Sequence, residues 1–288
     1  MAITVKSNGG GGAKVFINGV LYKKDLNLIN IIENLGELPY EFQNGSAVVY
    51  NNQIHLLGGD ANKTAHYKYN GSTWTSVSTL PYNFYNGAAV VYNNQIHIWG
   101  GNGEQDAHYK YDGSTWTSES TLLYGIRFYS GSAVAYNNKL HLLGSANYWT
   151  KHYVYDGSTW TSESTLPYEF YNGSAVVHDN KINILGGTYN GTKHYVYNGS
   201  TWTSESTLPY DFLDGSAVVH DNKINILGGT NNGTKQYVYN GSTWTSVSTL
   251  PYELYNGSAV VNNNLHLLGG SANKTAHWAE NLTIYREV

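Results

Sequence analysis

The chain contains no cysteine, which excludes disulfide bridges, thiolate metal sites and cysteine nucleophiles. Only 12% of its 288 residues are charged, the formal net charge is −4, and no basic cluster indicates a nucleic-acid surface. No stretch reaches the ~18 apolar residues that a membrane-spanning helix requires, and the first residues lack the apolar core of a signal peptide. We therefore expect a soluble protein without membrane insertion, whose compartment the composition leaves open.

The dominant positive feature is a segment repeated six times. Its anchor is Leu-Pro-Tyr, and successive anchors are separated by 42, 42, 44, 42 and 42 residues. A fixed period in the range of about 20–50 residues is the signature of a repeat architecture. The anchors begin at Leu38, Leu80, Leu122 (as the variant Leu-Leu-Tyr), Leu166, Leu208 and Leu250.

One repeat contains the signals of four short strands, A to D. Strand A ends at Tyr50, the pair Asn51-Asn52 suits a two-residue hairpin turn, and strand B ends at the glycine doublet Gly58-Gly59. Strands C and D flank Asn70-Gly71, which is another strong hairpin signal. The only helix candidate in the chain is Leu26 to Leu35. Four strands in each of six repeats predict an all-β, six-bladed β-propeller of four-stranded antiparallel blades.

The order of these features resembles the kelch repeat, whose blades show an apolar strand, a strand ending in a glycine doublet, a tyrosine near a turn, a spaced tryptophan and a closing Leu-Pro. The resemblance covers residues 38–288 and implies a propeller in which the repeated tryptophans are scaffold. The period is shorter than the usual kelch period of about 50 residues. The tryptophans expected to pack between blades are Trp74, Trp116, Trp160, Trp202 and Trp244.

The two chain ends offer one hairpin more than a closed ring needs. We expect residues 38–288 to form the propeller, with Ile284-Tyr285-Arg286 supplying its closing strand. Residues 1–37 are then an appendage containing a hairpin around Asn18-Gly19 and a flexible stretch, Gly9 to Gly12. The alternative is that N-terminal strands close the last blade, leaving the C-terminal hairpin surplus.

Strand direction places the A–B and C–D turns on one face of the disc, here called the turn face, and the B–C and D–A loops on the other, here called the loop face. The loops vary between copies, and variable loops on a rigid scaffold often carry function. We expect an asymmetric binding patch there, although Trp149 could instead pack locally onto its own blade. The candidate residues are Glu104, Asp106, Arg127, Phe128, Tyr148, Trp149 and Tyr189.

A second candidate is an acidic ring near the channel mouth. It is formed by the residue that follows the Leu-Pro-Tyr tyrosine: Glu41, Glu169, Asp211 and Glu253, with Asn83 in a fifth copy. Such side chains could bind cations or sugar hydroxyls, and paired carboxylates also serve in glycoside hydrolysis. Their repeated, similar environments give no evident way to separate the pKa of an acid from that of a base, which that mechanism needs.

Histidines recur at one position of strand B and one of strand C. Because equivalent residues of different blades are separated by rotation about the axis, we expect them not to converge on a metal, and we expect no cofactor. The positions are His55, His97, His141 and His266 in strand B, and His66, His108, His152, His194 and His277 in strand C.

These observations favour a non-enzymatic recognition module that binds a cell-surface glycan or protein on its loop face. The glycine-rich start and the near-identical copies also resemble kelch-like proteins associated with phage tails, which implies receptor binding and attachment to a larger assembly through the N-terminal leader. Two alternatives remain. One is a structural or assembly scaffold, of natural recent duplication or engineered, and the other is a carbohydrate-active enzyme that uses the ring carboxylates.

Overall fold

The fold is known from a computed structural model. It describes the backbone of residues 3–8, 11–17, 20–26, 28–122, 127–145 and 149–284, and the side chains between residues 32 and 280 within those ranges. Over these residues the secondary structure is β-strand, arranged as six four-stranded sheets and one three-stranded sheet. In the described part of the chain, no helix has the length and apolar character needed to cross a membrane.

The first blade shows how local sequence sets each strand. Strands β5 (Ser46–Tyr50) and β6 (Gln53–Leu57) pair across Asn51-Asn52. Both asparagines adopt positive φ values, 49° and 57°, as a type I′ hairpin turn requires. The third and fourth strands are β7 (His66–Tyr69) and β8 (Trp74–Ser76).

The turn between β7 and β8 is fixed by a side chain. The Asn70 Oδ1 accepts hydrogen bonds from the backbone N–H groups of Ser72 and Thr73, both at 2.9 Å. This side-chain turn explains why Asn or Asp stands at this place in five blades. The equivalents are Asp112, Asp156, Asn198 and Asn240.

The next four blades repeat this meander, with the strand order following the chain. The prediction of a six-bladed propeller is therefore confirmed. Blade 2 contains β9 (Ala88–Tyr92), β10 (Gln95–Trp99), β11 (His108–Tyr111) and β12 (Trp116–Ser118), and blade 3 contains β13 (Ser132–Tyr136), β14 (Lys139–Leu143), β15 (His152–Tyr155) and β16 (Trp160–Ser162). Blade 4 contains β17 (Ser174–His178), β18 (Lys181–Leu185), β19 (His194–Tyr197) and β20 (Trp202–Ser204), and blade 5 contains β21 (Ser216–His220), β22 (Lys223–Leu227), β23 (Gln236–Tyr239) and β24 (Trp244–Ser246).

The sixth blade joins the two ends of the chain. It contains β25 (Ser258–Asn262), β26 (Asn264–Leu268) and β27 (Ala276–Ile284), and its fourth strand is β4 (Leu28–Glu37). The expectation that Ile284-Tyr285-Arg286 closes the ring is wrong, because Ile284 ends the third strand and pairs with Leu28; Tyr285 and Arg286 lie outside the described residues. Because residues 276–284 form one continuous strand rather than a hairpin, they supply only the third strand of this blade. The fourth strand is therefore β4, and residues 28–37 belong to the propeller.

The same pairing corrects two other N-terminal expectations. The helix candidate Leu26 to Leu35 is largely β4, where its β-branched isoleucines suit a strand and its backbone pairs with β27. The remaining strands, β1 (Ile3–Asn8), β2 (Gly11–Ile17) and β3 (Val20–Leu26), form the separate antiparallel sheet. The predicted hairpin is present as β2 and β3, and Gly11 and Gly12 lie in β2 rather than in a flexible leader.

Each hydrophobic cluster spans two neighbouring blades. At the junction of blades 1 and 2, Val48 and Leu57 pack with Phe84 and Ile96 of the next blade. The glycine doublet is needed there, because a Cβ on Gly58 would lie 2.0 Å from the Phe84 carbonyl oxygen. The Gly59 N–H donates to that oxygen at 2.9 Å.

The repeated tryptophans also lie between blades, which confirms their scaffold role. Trp116 of blade 2 packs edge-on against His66 of blade 1, with ring centroids 5.6 Å apart. Its Nε1 donates to the His66 Nδ1 at 3.4 Å. The same edge-on ring contact between blades is made by Trp74 with His277, Trp160 with His108, Trp202 with His152 and Trp244 with His194.

A closed belt of six backbone hydrogen bonds links the blades just before their first strands. The N–H of Asn86 donates to the carbonyl of Asn44, and each later belt residue donates to its predecessor, with N···O distances of 2.7–2.9 Å. Asn44 in turn donates to Asn256 and closes the circle. All six residues have φ near +55°, and five of them are asparagine or aspartate, which tolerate this conformation. The belt residues are Asn44, Asn86, Ser130, Asn172, Asp214 and Asn256.

Candidate binding site on the loop face

Three aromatic side chains form a shelf on the loop face, here called the aromatic shelf. Trp149, from the second loop of blade 3, stacks on Tyr171 with ring centroids 5.9 Å apart and an interplanar angle of 21°. Tyr171 meets Tyr189 of blade 4 edge to face at 6.4 Å. Trp149 remains 39% exposed and Tyr189 82% exposed. The shelf therefore joins two blades and presents ring surface to solvent.

Trp149 and Tyr189 were both predicted as site residues, and the structure brings them together. Their contact runs through Tyr171, in the segment that leads into blade 4. Sequence reasoning missed Tyr171 because tyrosine recurs at its repeat position, as Tyr85, Tyr129 and Tyr255. Tyr148 was also predicted, and it lies outside the described residues.

Tyr189 has an unfavourable backbone conformation, with φ = +63°. Bulky residues rarely adopt this left-handed region, and such strain concentrates at functional sites. The equivalent residue of blade 5 is Asn231, which has φ = +64° and is a residue type that tolerates this conformation. Blade 4 thus carries an exposed aromatic ring where its neighbour carries a residue better suited to the turn.

A cavity of about 250 Å³ opens beside Tyr189, between blades 4 and 5. This blade 4–5 pocket is held by main-chain hydrogen bonds, from the Phe212 N–H to the Gly191 carbonyl at 2.9 Å and from the Thr230 N–H to the Leu213 carbonyl at 2.8 Å. It combines apolar, hydroxyl, amide and carboxylate groups. Its lining residues are Gly187, Tyr189, Gly191, Asp211, Leu213, Thr230 and Asn231.

Asp211 reaches the pocket because the facing residue has no side chain. A Cβ built on Gly191 would lie 2.9 Å from the Cβ and 3.0 Å from the Oδ1 of Asp211. The lining also contains Thr230, whose hydroxyl donates to the Asp214 Oδ2 at 3.1 Å. Burial raises the pKa of Asp214, and the Thr230 hydrogen bond opposes that rise.

The predicted acidic ring does not line the channel mouth. That opening, a cavity of about 130 Å³, is lined by the belt residues and the glycines that follow them. The carboxylates lie outside it on the loops: Glu41 is 3.4 Å from the Nζ of Lys274, Asp211 lines the blade 4–5 pocket, and Glu253 lies against Gly233. The Glu169 carbonyl accepts a hydrogen bond from the Asn190 side chain at 3.2 Å. The residues at the mouth therefore lie three positions further along the chain than predicted.

Phe128 is wrong as a ligand-binding candidate, because it is only 1% exposed. It occupies the same core position as Phe42, Phe84, Phe170 and Phe212, and the two-residue insertion before it obscures this equivalence in the sequence. Arg127, Glu104 and Asp106 are exposed on the loop face, as expected, but none of them lines the blade 4–5 pocket.

The histidines pair within single blades. In blade 1, the Nδ1 of His55 lies 2.8 Å from the Nε2 of His66, and both side chains are buried. Burial lowers the pKa of His55 to about 4 and that of His66 to about 3. Among the described residues, no group of three or more His, Asp and Glu side chains has a metal-binding arrangement. Equivalent pairs occur in blades 2, 3 and 6, as His97–His108, His141–His152 and His266–His277.

The channel along the propeller axis is lined by apolar side chains. It encloses about 420 Å³ and is lined by the first strands of all six blades. Its side chains are alanine and valine only, for example Val48, Ala89 and Val134. Each first strand is the edge of its sheet, so its unpaired main-chain groups also border this space.

Comparison with known proteins agrees on the fold. No protein-family model and no curated protein sequence matches the chain. Among solved structures, the chain is similar to that described as "Structure of YjhT", with a TM-score of 0.72 and 14% sequence identity. The match covers 87% of this chain and 99% of the other. At this identity the likeness concerns the propeller fold, and the kelch assignment stays a resemblance of sequence motifs.

Proposed function

We propose that this propeller is a non-enzymatic recognition module whose loop face binds a cell-surface glycan. The observation that carries the proposal is the aromatic shelf, in which Tyr189 is exposed despite its strained backbone. Sugar rings present C–H faces that pack on aromatic rings, while their hydroxyls bond to nearby polar groups. Stiff aromatic side chains provide such contact area at low conformational-entropy cost.

The blade 4–5 pocket supplies the polar partners next to the shelf. Its hydroxyl, amide and carboxylate groups line one cavity beside Tyr189, and small-molecule sites use a few such polar groups to fix the orientation of a ligand. A glycan lying across the shelf would place one residue in this pocket. Attachment to a larger assembly, such as a virion, through the N-terminal sheet is a further part of the proposal and follows from the phage-tail resemblance.

Binding is favoured over catalysis because, of the residues that the structure describes, a single carboxylate lines the pocket, that of Asp211. Glycoside hydrolysis usually employs two carboxyl groups flanking one bond. Of the four carboxylates considered for that role, Asp211 lines the blade 4–5 pocket, whereas Glu41 pairs with Lys274 and Glu253 lies against Gly233. Incubating bound glycans with the protein and measuring released sugar tests this choice, and turnover that is lost in Asp211→Asn would favour the enzyme.

The test of recognition is a glycan-array and bacterial-surface binding screen on the wild type, Trp149→Ala and Tyr189→Asn. Tyr189→Asn installs the residue that blade 5 already carries at the same φ, so its melting temperature should be unchanged or higher. We expect both variants to lose at least tenfold in affinity. Lys181→Ala, an exposed change on the turn face of blade 4, is the matched control and should bind like the wild type.

Retained binding in both shelf variants would move the site away from the shelf. The absence of any glycan or cell-surface binding by the wild type would contradict the proposal and favour the scaffold alternative.

A further inference from the structure

We infer that the blade 4–5 pocket selects a sugar residue rich in hydrogen-bond donors, a neutral or amino hexopyranose, and rejects a carboxylate-bearing sugar. The inference rests on the proposed function and deepens it by assigning a ligand class. Its basis is the hydrogen-bonding character of the pocket wall.

The wall is rich in acceptors. The carboxylate of Asp211 is the charged group of the lining, and an ionised carboxylate only accepts hydrogen bonds. The Thr230 hydroxyl has already donated its proton to Asp214, so its remaining lone pairs can only accept. Asn231 and the hydroxyl of Tyr189, which also belongs to the lining, can both donate and accept.

The Asp211 carboxylate and the Thr230 hydroxyl therefore need a ligand that brings donors. Hydroxyl, amine and amide N–H groups can satisfy these acceptors, whereas the carboxylate of a uronic or sialic acid adds another acceptor of the same charge. Like charges disfavour each other strongly where water is partly excluded. The lysine on the blade 5 loop, Lys235, does not offset this charge in the pocket, since its Nζ lies over the Tyr210 ring at 5.5 Å and the residue is outside the lining.

The pocket size fits one sugar residue. Its volume of about 250 Å³ is below the ~300–1,000 Å³ of sites for drug-sized ligands. Further residues of a glycan would lie outside it, and Tyr189 and Tyr171 provide the adjoining ring surface. The shelf thus provides contact area and the pocket provides selection.

The junction of blades 5 and 6 offers a natural control. It contains Asn231 at the place of Tyr189, and Glu253 lies against Gly233 as Asp211 lies against Gly191. Both glycines lack the positive φ that would forbid alanine, so Gly191→Ala and Gly233→Ala are matched substitutions. Each added Cβ would lie closer than 3.0 Å to the facing residue, at 2.9 Å from the Asp211 Cα or 2.5 Å from the Glu253 Cβ, so each substitution requires a local shift. Only Gly191→Ala affects a residue that lines the pocket.

The experiment measures dissociation constants for methyl hexopyranosides, an N-acetylhexosamine, a hexosamine, a hexuronate and N-acetylneuraminate by calorimetry or ligand-observed NMR. We expect the wild type to prefer the uncharged and amino sugars at least tenfold. Asp211→Asn, which removes the charge at similar shape, should bring the ratio of neutral to acidic affinity close to one. Gly191→Ala should weaken the neutral sugars about tenfold, and Gly233→Ala should leave them unchanged.

Two outcomes would overturn the inference. One is wild-type preference for the acidic sugars, and the other is an unchanged neutral-to-acidic ratio in Asp211→Asn. If array binding is lost in Trp149→Ala while the pocket variants bind all sugars like the wild type, recognition by the shelf stands and the assigned ligand class fails. If the wild type binds no glycan, the proposed function fails as well.

Discussion

Blades 1 and 5 place different side chains at the same buried position between their second and third strands. Blade 1 has the His55–His66 pair at 2.8 Å, whereas in blade 5 the Gln236 Nε2 donates to the Asn225 Oδ1 at 3.3 Å. Blade 4 is intermediate, with His194 Nε2 2.9 Å from the Asn183 Oδ1. The position therefore requires a hydrogen-bonded polar pair rather than histidine itself, which assigns the histidines to the scaffold.

The difference matters in acid. A neutral His–His pair shares one proton between two ring nitrogens, and protonation of both rings would bury two like charges in contact. An Asn–Gln pair does not titrate. Blades 1, 2, 3 and 6 are therefore expected to be sensitive to low pH, and blade 5 is expected to be indifferent.

The largest expected effect is loss of stability between pH 6.5 and 4. Burial lowers the pKa of nine histidines, so the unfolded chain binds more protons than the folded one in this range, and stability falls as pH falls. For a histidine lowered from 6.5 to about 4, the loss by pH 4 is at most on the order of 3 kcal/mol. Denaturant titrations from pH 8 to 4 should show a plateau above pH 7 and a steep decline below it.

A flat stability profile down to pH 4 would contradict the neutral buried pairs. Repeating the series in high salt separates this effect from surface charge, since screening weakens exposed ion pairs much more than buried groups.

A smaller effect is expected from exchanging the pair of one blade for that of another. His55→Asn with His66→Gln installs the blade 5 pair in blade 1 and removes two of the nine titrating groups. We expect stability at pH 7 to change by about 1 kcal/mol and the pH slope to fall by roughly one fifth. The measurement is the same denaturant series.

The reverse exchange, Asn225→His with Gln236→His, is the control. It should steepen the acid dependence, because it adds two buried histidines to the indifferent blade. An unchanged slope in both double variants would show that the pairs do not set the acid response.

The smallest effect concerns the tryptophans that cover these pairs. The Trp116 Nε1 donates to the His66 Nδ1 at 3.4 Å, whereas the buried Nε1 of Trp202 has no hydrogen-bond partner in the described part of the chain. Trp116→Phe should therefore destabilise more than Trp202→Phe, by about 0.5–1 kcal/mol. Chemical denaturation of the two variants measures the difference, and equal losses would show that this long hydrogen bond contributes nothing.

Local signals predicted most of the propeller. The Asn-Asn and Asn-Gly turns depend on positive φ values that few residue types tolerate, so they can be read without knowledge of the rest of the fold. Ring closure could not be read this way. The sequence indicated either Ile284-Tyr285-Arg286 or the N-terminal strands as the closing element, whereas β4 closes the blade, because closure depends on pairing between chain ends that are distant in sequence.

The candidate site was predicted in part, for a related reason. Trp149 and Tyr189 were candidates because they lie in loops that vary between copies, and the structure places both on the aromatic shelf. Comparison of repeats cannot detect Tyr171, which matches its counterparts, nor the pocket between Asp211 and Thr230, which two blades form together. Periodicity also misplaced Phe128, whose core role is hidden by the preceding insertion.

The belt at the channel mouth is a closed ring of backbone hydrogen bonds in a chain that is covalently linear. All six links join blades that the polypeptide also connects, because β4 of blade 6 continues through residues 38–45 into β5 of blade 1. The link from Asn44 to Asn256 measures 2.8 Å, within the 2.7–2.9 Å of the others. The two ends of the propeller segment meet inside blade 6 instead, where β27 pairs with β4. A linear row of hydrogen bonds can open progressively from a free end. The six belt bonds all run in the same direction around the axis and close on themselves, so this row has no free end.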